Sequence, residues 1–205
     1  MAEVNPSDDL SRRERILRAA IGLFKERGYA GTSTLAIASA AKVSKRDVYA
    51  AFPGKREIMA ACVQLRASQF QAPLDLPAPR NRDELVGVLI RYGIGLRLGV
   101  TDPQVIAGFR LVLQEAGSSP EMAQTLRAEG RIASFRAVEG LMAAARDQGL
   151  LGPGPVDLMA RQFLALLVGD LILQHLLGTA PPETEALARE HAKQATVALL
   201  RLYPV

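Results

Sequence analysis

A single cysteine, Cys62, rules out a disulfide within the chain and fits a reducing, cytoplasmic setting. Only two histidines occur, His175 and His191, too few and too separated for a metal cluster. There is no paired-cysteine spacing, no glycine-rich phosphate loop and no GxSxG turn. No catalytic residue, metal ligand or cofactor is therefore assigned, and an enzyme reading is set aside. No apolar run approaches the roughly 20 residues that span a bilayer, so no membrane partner is expected. The best candidate, 163–177, is interrupted by Asp170, Gln174 and His175. The N-terminus is polar and lacks the apolar core of a signal peptide. Sustained two-residue alternation is missing as well, which speaks against strands and for an all-α fold.

What the chain does have is a large apolar fraction and an uneven charge. Hydrophobic residues make up 49% of its 205 positions, enough for a sizeable core. The net charge of +4 lies entirely in 1–61, where 11 Lys/Arg face 7 Asp/Glu, while 62–205 hold 14 of each. Without the acidic leader, 10–61 carry an excess of +7. A basic excess confined to one segment is the electrostatic footprint that DNA binding requires.

Within that segment, 34–52 (TLAIASAAKVSKRDVYAAF) reads as two short helices joined by a tight turn. Thr32, Ser33 and Thr34 follow a glycine-containing turn and can cap a helix running to about Ala41. Leu35, Ile37, Ala38 and Ala41 are its apolar positions, and the small alanines let a second helix cross closely. Val43 is the apolar plug of the turn, and Ser44 is a good N-cap for the next helix. There Val48, Ala51 and Phe52 fall at inward-facing spacing, leaving Lys45, Arg46, Asp47, Tyr49 and Ala50 outward. Arg pairs bidentately with guanine edges, Lys with guanine or phosphate, and Tyr with phosphate or a thymine methyl. Lys55, beside the start of the following helix, suits a phosphate clamp. The expected DNA-contacting set is Thr32, Ser33, Thr34, Lys42, Ser44, Lys45, Arg46, Asp47, Tyr49 and Lys55.

The frame around this stretch resembles the N-terminal domain of TetR-family transcriptional regulators. The matching elements are Ile16-Leu17-x-Ala19-Ala20-x-x-Leu23-Phe24, Gly28-Tyr29-x-x-Thr32-Ser33 and Ile37-Ala38-x-x-Ala41-x-Val43-Ser44-Lys45. They continue through Val48-Tyr49-x-x-Phe52-Pro53-x-Lys55-x-x-Ile58, in order and without a gap. Two places depart from the family pattern. Lys42 stands where the family usually has Gly, so either this Lys takes a left-handed conformation or the turn differs. Leu35 and Thr34 stand where the family more often has a polar and an apolar residue, respectively. Beyond this domain the similarity is one of helical layout.

Periodicity and punctuation give a leader over 1–10 and a DNA-binding domain over 11–54. A connecting helix follows over 55–71, and a helical domain over 72–205, which the resemblance implies is the effector-binding and dimerisation domain. Nine helices are expected, three in the DNA-binding domain and six after it. Their breaks lie at the proline-rich 71–80, at Thr101-Asp102-Pro103, at Ser118-Ser119-Pro120 and at the glycine- and proline-rich 149–155. Single helices are read over 118–148, 156–177 and 182–202.

The last helices carry more leucine than one core stripe needs, which suggests a partner helix pair and a homodimer. The interface candidates are Leu166, Asp170, Leu173, Leu177, Ala195 and Leu199. A dimer doubles the few base contacts of one helix-turn-helix and matches a palindromic operator on double-stranded DNA. The resemblance also implies a ligand cavity among helices four to eight. Polar residues embedded in apolar stripes there are Arg91, Tyr92, Arg110, Gln114, Gln162 and Gln174, suited to a small lipophilic effector. The sum of these readings is a sequence-specific transcriptional regulator, a repressor released by such an effector. The alternative is a helical ligand- or protein-binding module that keeps the fold without regulating DNA.

Overall fold

The computed structural model describes residues 6–71, 78–115, 117, 120–128 and 133–205. The described residues contain eleven α-helices and no strand. The helices are α1 (Pro6–Arg27), α2 (Thr34–Ala41), α3 (Lys45–Ala51), α4 (Lys55–Gln71), α5 (Arg82–Val100) and α6 (Pro103–Glu115). They continue with α7 (Pro120–Thr125), α8 (Ala133–Asp147), α9 (Val156–Val168), α10 (Leu171–Leu177) and α11 (Glu185–Leu202).

The all-α expectation holds, while the count of nine does not. The helix expected over 156–177 is two, because the chain breaks at Gly169, whose φ of 48° and ψ of −123° suit only glycine. The segment expected as one helix over 118–148 contains α7 and α8, and 129–132 lie outside the described residues. Helix α1 starts at Pro6, so the second half of the expected leader is helical. Residues 72–77 of the proline-rich loop are also outside the described residues.

The chain divides into two compact units, one of 1–65 and 107–129 and one of 66–106 and 130–205. The expected domain of 72–205 is therefore not one packing unit, since 107–129 join the N-terminal unit. The apolar side of Val112 explains this, because it belongs to the core of that unit.

That core is built from Ile16, Leu17, Ala20, Leu23 and Phe24 of α1, with Ile37, Ala38 and Ala41 of α2. Val48, Phe52 and Ile58 complete it from the other side. Cys62 belongs to the same core, and its thiol donates to the Leu17 carbonyl at 3.8 Å. Burial pushes this thiol up to about 12, so it packs as a small apolar group and is no reactive thiolate.

In the second unit α5 packs against α11 and α9, and α8 against α9. Glycine at 93 is what permits the approach. A Cβ there would stand 2.7 Å from Leu167 Cδ2 and 2.8 Å from Ala192 Cβ. The core holds Leu85, Leu89, Tyr92, Met142, Met159, Phe163, Leu167 and Leu199. One ion pair is buried beside it. Arg97 Nε lies 2.7 Å from Glu183 Oε1, with both side chains 6% exposed. Arg97 Nη1 also donates to the Leu167 carbonyl at 2.5 Å, two residues before the Gly169 break.

Candidate nucleic-acid interface

Each end of the two short helices is fixed by a local hydrogen bond that the sequence supplies. Ser33 caps α2, its hydroxyl accepting from the Ala36 amide at 3.1 Å. At the other end Lys42 adopts φ 54° and ψ 47°, the left-handed region, and is the sole non-glycine residue with positive φ among those described. Its amide donates to Ser39 O at 3.2 Å and the Val43 amide donates to Ala38 O at 3.0 Å. This bond pattern closes a helix around a residue usually glycine. Of the two expectations for Lys42, the left-handed one is realised, so the turn keeps its usual shape with a lysine in it.

Helix α3 starts in a reciprocal cap. The Ser44 hydroxyl accepts from the Asp47 amide at 3.1 Å, and the Asp47 carboxylate accepts from the Ser44 amide at 3.0 Å. The Ser44 hydroxyl also donates to that carboxylate at 2.6 Å. These bonds, with Arg12 and Arg46 near, hold Asp47 below the ordinary carboxylate range. Arg12 of α1 lies 4.0 Å from Asp47. Arg13 reaches the far end of α3, donating to Ala51 O at 3.1 Å with its guanidinium 4.1 Å from the Phe52 ring centroid. Two consecutive arginines of α1 thus grip the start and the end of α3.

The inward and outward faces of α3 are as the spacing predicts. Val48 and Phe52 are buried, while Lys45, Arg46, Tyr49 and Ala50 are exposed. The Tyr49 hydroxyl and Thr34 Oγ1 are 3.2 Å apart, which couples the two helices, and Lys45 Nζ sits 5.8 Å from the Tyr49 ring centroid. Ser33 and Lys42 are exposed at the two ends of α2, and Thr34 is half-buried.

Five residues are engaged otherwise than the sequence suggests. Thr32 is 1% exposed and donates to Gly28 O at 2.7 Å and to Leu23 O at 3.2 Å, so it closes the α1 end from within the core. Asp47 and Ser44 are spent on capping each other. Lys55 donates to Tyr29 O at 2.6 Å with its ammonium 4.2 Å from the Tyr29 ring centroid, an internal tie in place of a phosphate clamp. Leu35, read as a core position of α2, is 58% exposed, because α2 buries Ile37, Ala38 and Ala41. Arg12 and Arg13 are supports of α3 that sequence reasoning missed. The doublet Arg12-Arg13 was signal enough for a cation pair, but its targets lie 35 and 38 residues further on.

The effector candidates do not converge. Arg110 and Gln114 are exposed and line a cleft inside the N-terminal unit with Phe24, Lys25 and Gly28. Arg91 is exposed on α5. The Gln162 amide oxygen accepts from the Tyr203 hydroxyl at 2.5 Å, and the Gln174 amide donates to Asp170 at 2.8 Å. Tyr92 alone of the six is fully buried. Of the interface candidates, Leu166, Asp170, Leu173 and Leu177 are exposed as an interface requires. Ala195 and Leu199 are buried in the core of their own chain instead, since that face of α11 packs on α5 and α9.

The family model for bacterial regulatory proteins of the tetR family matches 16–62, and the model for the C-terminal domain of AefR-like transcriptional repressors matches 87–205. The chain belongs to the TetR family. Its similarity to uncharacterized HTH-type transcriptional regulators of Mycobacterium bovis and Mycobacterium tuberculosis is 25% identity, over 89% of this chain and 85% of theirs. A TetR transcriptional regulator from Agrobacterium tumefaciens superposes with TM-score 0.78 at 27% identity, over 98% of this chain and 95% of that one. A flavonoid-responsive regulator superposes with TM-score 0.74 at 29% identity, over 94% and 96%. As a TetR-family member the chain is a DNA-binding transcriptional regulator with a helix-turn-helix at 33–52. Among the described residues no helix is long and apolar enough to cross a membrane.

Proposed function

We propose that this TetR-family chain acts in the cytoplasm as a homodimeric repressor, binding a two-fold operator through α3 and leaving it when a small lipophilic effector binds the C-terminal unit. It does so as a binding protein, without catalysis. The observation that carries the reading is the exposed triad Lys45, Arg46 and Tyr49 on a helix fixed at both ends by Ser44, Arg12 and Arg13. Ser33, Thr34, Leu35 and Lys42 flank the triad and supply phosphate and apolar contacts.

Dimerisation is supported by Leu166, Leu173 and Leu177, large apolar side chains left uncovered on α9 and α10. Two subunits would place two copies of α3 about one helical turn of DNA apart. The response that names the flavonoid-responsive relative supports an effector of small, planar, apolar chemistry. An effector can loosen DNA binding only by as much as it prefers the released conformation.

A gel-shift titration with DNA flanking the protein's own gene tests the reading. We expect a retarded complex whose affinity falls steeply with salt. Absence of any complex at low salt would refute it. Replacing Lys45, Arg46 and Tyr49 together with Ala should cost about 1–3 kcal/mol per base-reading contact, and an unchanged affinity would remove α3 from the interface.

A further inference from the structure

Among the described residues the buried hydroxyls of the C-terminal unit are paired, with one exception. Thr101 donates to Arg97 O at 2.7 Å, Thr196 to Ala192 O at 2.8 Å and Tyr203 to Gln162 at 2.5 Å. The Tyr92 hydroxyl has no partner, although the residue is 0% exposed. An unpaired buried hydroxyl destabilises the fold relative to phenylalanine, so the group carries a cost that the fold alone does not repay. Burial also raises its pKa, which keeps it an O–H donor at any physiological pH.

The neighbourhood says what could pair with it. Phe163 presents a tilted ring whose centroid is 6.4 Å from that of Tyr92. Met142 and Met159, fully buried in the same cluster, are unbranched side chains that can shift to admit a guest. The buried cation of the unit, Arg97, is already committed to Glu183 and the Leu167 carbonyl. A charged guest would be desolvated there without a counter-ion.

We propose that Tyr92 is the polar anchor of an effector site in the core between α5 and α9, taking a neutral, mostly aromatic molecule through one hydrogen-bond acceptor such as a ketone oxygen. This rests on the reading of the C-terminal unit as the effector domain, and it adds the anchoring atom and the charge state of the ligand.

Three probes sharing one naphthalene ring test it on the full-length protein: 2-acetylnaphthalene, 2-ethylnaphthalene and 2-naphthoate. The chain has no tryptophan, so naphthyl fluorescence reports binding directly. The ketone should bind the wild type about two- to tenfold more tightly than the ethyl compound, the worth of one net hydrogen bond, and the carboxylate should bind least. In Tyr92→Phe the preference for the ketone should vanish while the ethyl compound binds as before. The same variant should melt at an unchanged or higher temperature. Equal binding of ketone and ethyl compound by the wild type would overturn the proposal. So would a preference that survives in Tyr92→Phe, tightest binding by the carboxylate, or no binding up to the solubility limit. A clear fall in the melting temperature of Tyr92→Phe would show that the hydroxyl is partnered within the fold, and would overturn it too. None of these readouts uses DNA. A protein that shows the ketone preference yet fails the gel shift would refute the regulatory reading and leave the Tyr92 assignment standing.

Discussion

The N-terminal unit and the C-terminal unit fix their polar groups by different means. At the helix-turn-helix the caps are short in sequence, Ser33 to Ala36, Ser44 to Asp47 and Lys42 to Ser39, and only the grip of Arg12 and Arg13 on α3 reaches from far along the chain. In the C-terminal unit the decisive bonds join residues far apart. Arg97 meets Glu183 86 positions later and Leu167 70 positions later, and Tyr203 meets Gln162 across 41. The first unit therefore presents a surface whose shape is set locally. The second holds together through a few long-range ties inside an apolar core.

The sharpest way to break that contrast is Arg97→Ala. It leaves Glu183 buried without its cation and the Leu167 carbonyl without its donor. We expect a loss of about 3–5 kcal/mol in urea unfolding. Replacing Arg97 and Glu183 together with leucine should recover most of that loss. An unchanged unfolding midpoint for the single variant would show the tie to be idle.

Gly93→Ala probes the second unit by shape alone. Its methyl group would meet Leu167 and Ala192 well inside van der Waals contact. Overpacking of this kind costs about 1–3 kcal/mol, read as a lower melting temperature.

On the N-terminal side effects should be smaller, because the capping bonds are local and exposed. Ser44→Ala removes the α3 cap and should cost about 1 kcal/mol. The Asp47 half of that cap has a pH signature. Because the folded state lowers the Asp47 pKa, its contribution is complete above the ordinary carboxylate range and is lost as pH falls through the folded value. The stability gap between wild type and Asp47→Asn should accordingly close in acid, as a pH series of thermal melts would reveal.

Smallest of all is Lys42→Gly. Relief of the left-handed strain, offset by the greater freedom of glycine when unfolded, should give a net gain of about 0.5 kcal/mol. If Lys42 touches phosphate, the same change should reduce the slope of log affinity against log salt by about one unit. An unchanged slope would place the lysine away from DNA.

How much of this was legible follows the same division. The caps at Ser33 and Ser44, the plug at Val43 and the two faces of α3 could be read because each depends on residues within one turn. What the tertiary contacts decide could not be. Lys55 reads as a free cation until the Tyr29 carbonyl is brought beside it. The embedded glutamines read as pocket residues until Tyr203 and Asp170 take them up. Leucine stripes on α11 run on more than one face, and periodicity alone cannot say that Leu199 turns inward while Leu173 and Leu177 of α10 stay out. The break at Gly169 was hidden because apolar spacing continues on both sides of it.

The placement of Cys62 has a practical consequence. With its thiol held against α1 and its ionisation suppressed, it can react with an alkylating reagent only when α4 and α1 part. Its labelling rate is thus a built-in clock for opening of the N-terminal unit, one reporter per chain and no engineering required. Timing that clock with and without operator DNA would show whether the DNA-bound form is also the more tightly closed one.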